Sequence, residues 1–271
     1  MTIEKLSEQK HWESINAPVN DVIKTEKKPK KAFRIFTYSY SFHLLWDVLL
    51  PKYIKTDRNA KVMEVGSAPG KNLLLWHNKF LNIPFGVEYT DAGVDANRKL
   101  FAANNLNPEN IIKADFLSDE FLRANHEKYD YVYSMGFIEH FNDPEQIVSN
   151  HLKILKPGGI LFISIPNLKG LYNFALKIFY PEILKIHNLE IMELKEYKKL
   201  FDVQKNLEII HCGYHGTIDL NILQFGKYRF MNTLCHYFQM LLNFCCKMLL
   251  GKKGLESRFT SPYLVFIGKK N

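Results

Sequence analysis

The chain has 271 residues, 46% of them hydrophobic, and a formal net charge of +8. That suits one large α/β domain with additions and a sizeable core, while the basic residues are dispersed apart from Lys24 to Arg34, so no nucleic-acid partner is expected. Four cysteines in the last quarter, without a C-x-x-C pair, exclude a zinc site or disulfide framework, imply no metal, and fit a reducing cytoplasm.

In chain order, Met1 to Lys31 is polar and lysine-rich, without a secretory signal, and reads as a mobile or loosely docked arm. Ala32 to Ile54 turns aromatic. Ser41 can cap a helix carrying Leu44, Leu45, Val48 and Leu49, which either packs on a sheet or forms a lid whose tyrosines, Tyr38 and Tyr40, shape a substrate pocket. Residues 1–55 thus form an arm and helical lid ahead of a catalytic-type domain over 56–271.

Lys61 to Val65 reads as a buried strand, Glu64 to Gly70 (EVGSAPG) as a tight turn, and Asn72 to Phe80 as a helix. A strand that passes through such a turn into a helix makes the first nucleotide crevice of a doubly wound sheet. Gly66 and Gly70 omit the Cβ atoms that would hold a ligand off the backbone. Glu64, in an apolar strand, calls for a polar partner. Ala68 and Lys71 break the dinucleotide spacing, three residues rather than four separate the glycines, and Pro69 has no N–H to offer a phosphate. The turn suits an adenosine ligand without phosphates.

Ile83 to Tyr89 is a second strand ending in Glu88, an acid placed to accept from both ribose hydroxyls. Asp91 then caps a helix over Ala92 to Ala103. Asn110 to Phe116 is a third strand, in which Asp115 and Phe116 suit the amine and face of adenine, or Asp115 caps the next helix. Tyr129 to Met135 is a fourth strand, followed by Glu139-His140-Phe141, a helix opened by Asn142-Asp143-Pro144, the turn Lys156 to Gly159, and a fifth strand over Ile160 to Ile165.

This order of an E-x-G-x-x-x-G turn, an acid ending strand two, A-D-F, E-H-F and L-K-P-G-G resembles class I S-adenosylmethionine-dependent methyltransferases, of the small-molecule branch, over Lys61 to Asn167. The resemblance implies a seven-stranded Rossmann-like sheet with strand seven antiparallel, an N-terminal helical lid and a helical insertion before the last strand. It implies S-adenosylmethionine as cofactor, held by Glu64, Gly66, Ser67, Ala68, Gly70, Glu88, Asp115, Phe116, Ser134 and Met135. Segments I-P-N-L-K-G and I-H-N-L-E-I-M resemble methyltransferases of surface-polysaccharide and glycolipid gene clusters, which implies a sugar or lipid-linked acceptor. A quinone or phenol acceptor, or a non-catalytic cofactor-binding subunit, are the alternatives.

Beyond Asn167 the chain reads as a helix over Met192 to Phe201, a sixth strand over Leu207 to Tyr214, an insertion over 218–258, and a last strand over Pro262 to Gly268. In the insertion, residues 232–250 form an amphipathic helix with a broad apolar face, meant for the domain, a twin subunit, or a membrane surface or lipid-linked substrate. His140, just after strand four, is the candidate base for an alcohol acceptor, or else bonds backbone and holds its loop. His187, Tyr214 and His215 are further pocket candidates beside Tyr38 and Tyr40. A cytoplasmic protein, peripheral at most to a membrane, is expected.

Overall fold

The computed structural model describes residues 4–7, 9–16, 34–223 and 229–271. Most of the arm, and the lysine run as far as residue 33, lie outside those residues. The described part of the arm includes α1 (Gln9–Asn16). Next come α2 (Arg34–Thr37) and α3 (Tyr40–His43), which continues as a π-helical stretch, Leu44–Leu49, and a 3-10 turn, Leu50–Lys52. Ser39 accepts from the Phe42 amide at the start of α3, so the expected cap Ser41 is instead the second residue of the helix, buried.

The alternating segments are β1 (Lys61–Val65), α4 (Lys71–Phe80), β2 (Ile83–Glu88), α5 (Asp91–Ala103), β3 (Ile111–Lys113), α6 (Asp119–Ala124), β4 (Tyr129–Met135), α7 (Pro144–Ile154) and β5 (Leu155–Pro166). Thr90, not Asp91, caps α5: its Oγ1 accepts from the Gly93 amide at 3.2 Å. Asp143 Oδ1 caps α7 by accepting from Gln146 N at 3.0 Å, and Pro144 fills the first helical position, where no amide is needed. The expected turn at Lys156 to Gly159 is absorbed into β5: Tyr129 pairs with Leu155 but Tyr131 with Ile160, so the extra residues bulge within the strand.

The remainder comprises α8 (Leu171–Phe179), α9 (Glu182–Lys185), α10 (Leu194–Asp202), β6 (Leu207–His215), α11 (Arg229–Leu250) and β7 (Tyr263–Lys270). The seven strands lie in the order β3-β2-β1-β4-β5-β7-β6. All neighbours are parallel except β7, which runs antiparallel to both β5 and β6. This is the sheet the resemblance implies.

Successive side chains of a strand point to opposite faces, so a central strand that is apolar throughout feeds two cores. On one face, Met63, Val65, Val132, Ile163 and Phe266 join α7 and α10, where Phe201 stacks on Phe266 with centroids 3.5 Å apart. On the other, Val62, Tyr133, Phe162 and Val265 meet α4 and the segment after α3. Trp76 lies at its centre, stacked on Tyr133 at 4.7 Å and edge-on to Trp46 at 6.1 Å. Residues of this size each stabilise the fold by about 1.5–3 kcal/mol when fully buried. Leu45, Trp46, Leu49 and Leu50 belong to this second core, so the aromatic segment is a layer packed on the sheet.

Candidate functional site

A cavity opens at the carboxyl ends of β1, β2 and β4, where strand order reverses between β1 and β4. That is where an open parallel sheet leaves its ligand crevice. Gly66 lies in its wall with φ +70°, a conformation that favours glycine, and a Cβ there would sit 2.7 Å from the Phe137 ring. Ala68 lies in the same wall. Ser67 and Gly70 do not: Ser67 Oγ accepts from Asn97 Nδ2 at 3.1 Å, and a Cβ on Gly70 would fall 2.3 Å from Asn97 Oδ1. These two lock the turn onto α5.

Glu64 lies behind the turn, buried. Asn72 Nδ2 approaches its Oε1 at 3.4 Å, while Oε2 has no partner, so the expected polar partner is there but answers only half the carboxyl. Burial pushes its pKa up to about 8. Glu88 lines the cavity and is almost fully buried. Its Oε1 accepts from Tyr89 N at 3.1 Å, Thr90 N at 2.8 Å and Thr90 Oγ1 at 2.6 Å. Three donors on one oxygen fix the carboxylate's orientation and leave Oε2 for a ligand.

Asp115 lines the cavity too; its Oδ1 accepts from the Leu117 amide and its Oδ2 from Lys5 Nζ, each at 3.0 Å. The helix that follows is capped by Ser118, so Asp115 shapes the turn and does not cap. Phe116 and Met135 complete an apolar wall with Phe137, whereas Ser134 is buried in β4 behind it.

His140 closes the far side. Its Nδ1 bonds the Ile186 carbonyl at 2.8 Å, an acceptor only, so Nδ1 carries the proton and Nε2 the lone pair. The ring is anchored to backbone and lines the cavity. Beside it Glu139 is fully buried with both carboxyl oxygens unpartnered, and desolvation pushes its pKa up to about 8. His187 comes from the loop after α9, with its ring 4.4 Å from that of His140 and its Nδ1 on the Ile183 carbonyl at 2.6 Å. Glu139, His140 and His187 offer three ligand atoms within 4.8 Å of one another, donor types a divalent cation would take. No spacing in the sequence announces this group, because a 47-residue separation brings His187 to His140 and only the fold closes it.

The arm supplies what sequence reasoning missed. Lys5 forms a bridge with Phe141, and Leu6 N donates to the His140 carbonyl at 2.8 Å. Trp12 stands edge-on to the His140 ring at 4.8 Å and donates from Nε1 to Ser7 Oγ. Glu13 accepts from the Asp91 and Ala92 amides, where the helix dipole of α5 favours an anion. Lys5, Ser7 and Trp12 thereby line the cavity.

The remaining candidates lie elsewhere. Tyr40 donates from its hydroxyl to the Lys253 carbonyl at 2.5 Å, and the Tyr38 ring lies under Arg34 and Lys247. His215 is buried 3.8 Å from a Glu256 oxygen, and burial, then His211, lowers its pKa to about 4. Tyr214 packs against the first core. None of the four lines the cavity: Tyr38 and Tyr40 meet α11 and the chain after it, His215 ends β6, and Tyr214 faces the first core.

Comparison with known proteins agrees with this geometry. Residues 39–239 match the family model described as a methyltransferase domain. The ubiquinone biosynthesis O-methyltransferase of Coxiella burnetii is 28% identical over 130 residues, which span 46% of this chain and 52% of that protein. The chain thus matches about half the length of that relative. Among solved structures, a Haloferax volcanii methyltransferase, in complex with the Trm112 activator, superposes with a TM-score of 0.56 at 15% identity, covering 98% of this chain and 97% of that one. The geranyl diphosphate C-methyltransferase of Streptomyces coelicolor, with Mg²⁺, geranyl diphosphate and S-adenosyl-L-homocysteine, gives 0.54 at 13% identity, covering 84% and 78%. At these identities the two structures speak for the fold alone.

Proposed function

Since the chain belongs to the methyltransferase-domain family, we propose that it is an S-adenosylmethionine-dependent O-methyltransferase whose acceptor is a sugar or lipid-linked hydroxyl. The residues present fit that cofactor. Gly66 and Ala68 leave the turn without bulk, Glu88 keeps one oxygen for a ribose diol, and Asp115 and Phe116 supply an acid and a ring for adenine. When bound, the cofactor supplies a methyl group activated by a positive sulfur.

The observation that carries the oxygen acceptor is His140, lining the cavity with Nδ1 committed to Ile186. An alcohol is neutral near pH 7 and needs its proton removed as it attacks. His140 can take that proton on Nε2, and its imidazolium would stay hydrogen-bonded through Nδ1. Glu139 beside it, held protonated by burial, places no second negative charge against the acceptor. Trp12, Phe137 and Phe141 give the cavity apolar walls, which suit a reaction shielded from water.

A phenolic or quinone-type acceptor is the second reading, favoured by the ubiquinone O-methyltransferase likeness and by the aromatic wall. Calorimetry with S-adenosylhomocysteine tests the premise, with micromolar affinity expected, roughly −8 kcal/mol. Absence of heat at millimolar ligand overturns it. Labelled methyl transfer into a glycolipid fraction, and not into a catechol, supports the first reading; the reverse supports the second.

A further inference from the structure

The helix α11 is mounted inside out. Its polar side chains Gln239, Asn243 and Lys247 point into the protein. Gln239 Oε1 accepts from Leu220 N at 2.8 Å and its Nε2 donates to Asn243 Oδ1 at 2.9 Å. Asn243 accepts from Tyr40 N and donates to the Phe36 carbonyl, both at 2.9 Å. Lys247 Nζ donates to the carbonyls of Ile35 and Tyr38. Phe36 stacks on Phe244 at 5.0 Å, so α2 and the start of α3 are the helix's seat.

Phe230, Leu234, Tyr237, Leu241 and Met248 point the other way and are 52–76% exposed. At about 100° per residue they fall within a face about 60° wide, opposite Gln239 and Asn243. Phe238 and Leu249 widen that face, and it runs about 27 Å from Phe230 to Met248 at ~1.5 Å per residue. Soluble proteins rarely leave so long an apolar stripe to water.

We infer that this face of α11 lies in the surface of an anionic lipid bilayer. Three observations favour lipid over a protein partner. The outward face carries no charged side chain, whereas protein interfaces use polar contacts every 100–200 Å² to fix orientation. A fluid apolar phase needs none. The helix contains no Asp or Glu, and exposed Lys252, Lys253 and Arg258 follow it, against Glu256 alone. In the sequence Lys24, Lys27, Lys28, Lys30 and Lys31, against Glu26 alone, run into Arg34, the first residue of α2 and so of the seat. Near a negatively charged leaflet such cations are attracted, and salt screens that attraction. No helix among the described residues is long and apolar enough to cross a membrane, so α11 lies in the interface plane.

The surface is independent of the cofactor cavity, and its test is separable from that of the methyltransferase reading. The full chain is floated with vesicles of phosphatidylcholine alone and of phosphatidylcholine with 30% phosphatidylglycerol. We expect recovery on the anionic vesicles to exceed that on neutral ones at least threefold and to fall severalfold in 0.5 M salt. The double substitution Leu234→Ser/Leu241→Ser should abolish flotation while thermal stability and S-adenosylhomocysteine binding stay unchanged. No recovery on either vesicle, or undiminished recovery of the double variant, overturns the inference. So does a dimer in light scattering that the double variant splits, since the face would then meet a second copy. Flotation without S-adenosylhomocysteine binding would sink the methyltransferase reading and leave this one standing.

Discussion

The cavity and the seat of α11 are both built from polar side chains in apolar surroundings, yet they spend them differently. In the cavity the fixing bonds gather on one atom of a group: Glu88 has one oxygen saturated, and His140 is held through Nδ1 on a carbonyl. At the seat nothing is spared: Gln239 accepts from Leu220 N and donates to Asn243, Asn243 accepts from Tyr40 N and donates to the Phe36 carbonyl, and Lys247 is drawn into carbonyls. A polar group pinned on one side is available to a ligand on the other, whereas one whose bonds are all internal is a fastener. Residue type alone does not separate the two.

The comparison breaks most sharply at His140. His140→Ala should lower kcat about 10²–10⁴-fold on the true acceptor with S-adenosylmethionine affinity nearly unchanged, while melting falls only as far as the lost bond to the Ile186 carbonyl requires. A fastener would behave otherwise, losing stability and cofactor affinity together, so kcat, affinity and melting are measured in the same variant. Glu88→Ala comes next: about 1.5–3 kcal/mol of cofactor affinity should go, read by calorimetry, because a charged acceptor is removed. At the seat, Asn243→Ala should cost about 1–3 kcal/mol of stability in thermal melting, since the Tyr40 amide and Phe36 carbonyl lose their partner, and should leave cofactor affinity intact.

The last expectation is a pH dependence, read as a slope and not as a single variant's loss. Glu64 and Glu139 hold their protons in the folded protein to about pH 8 but release them near the ordinary carboxyl range when unfolded. The unfolded state therefore binds fewer protons through that window, and stability present at pH 4–5 is lost as pH rises toward 8. The slope is at most about 1.4 kcal/mol per pH unit for each group. Glu139→Gln should flatten part of it in melting curves taken from pH 5 to 8.

The parallel half of the sheet was legible because a buried strand, a Gly-bearing turn and a capped helix leave local marks. Glu88 and Asp115 were found by their place at strand ends. Where the arm docks was not legible for a physical reason: Lys5 and Leu6 dock through backbone bonds, and Glu13 through a helix end, none of which its polar composition records. The periodicity of α11 revealed two faces but could not say which looked inward, since Asn243 is held by partners some two hundred residues away. The tyrosines Tyr38 and Tyr40 were drawn toward the cavity by proximity in sequence to a supposed lid, yet they serve that same seat.

The antiparallel β7 has a consequence for synthesis. It fills the slot between β5 and β6, pairing along its length with both. A chain emerging from a ribosome makes that strand last, so β6 waits without a neighbour while the parallel half can already assemble. Lys270 then fastens to the carbonyls of Leu152 and Leu155 at 2.9 Å, reaching back across more than a hundred residues. β7 closes the sheet, and a nascent chain halted before Tyr263 would carry open strand edges at β5 and β6, ready to pair with a neighbour.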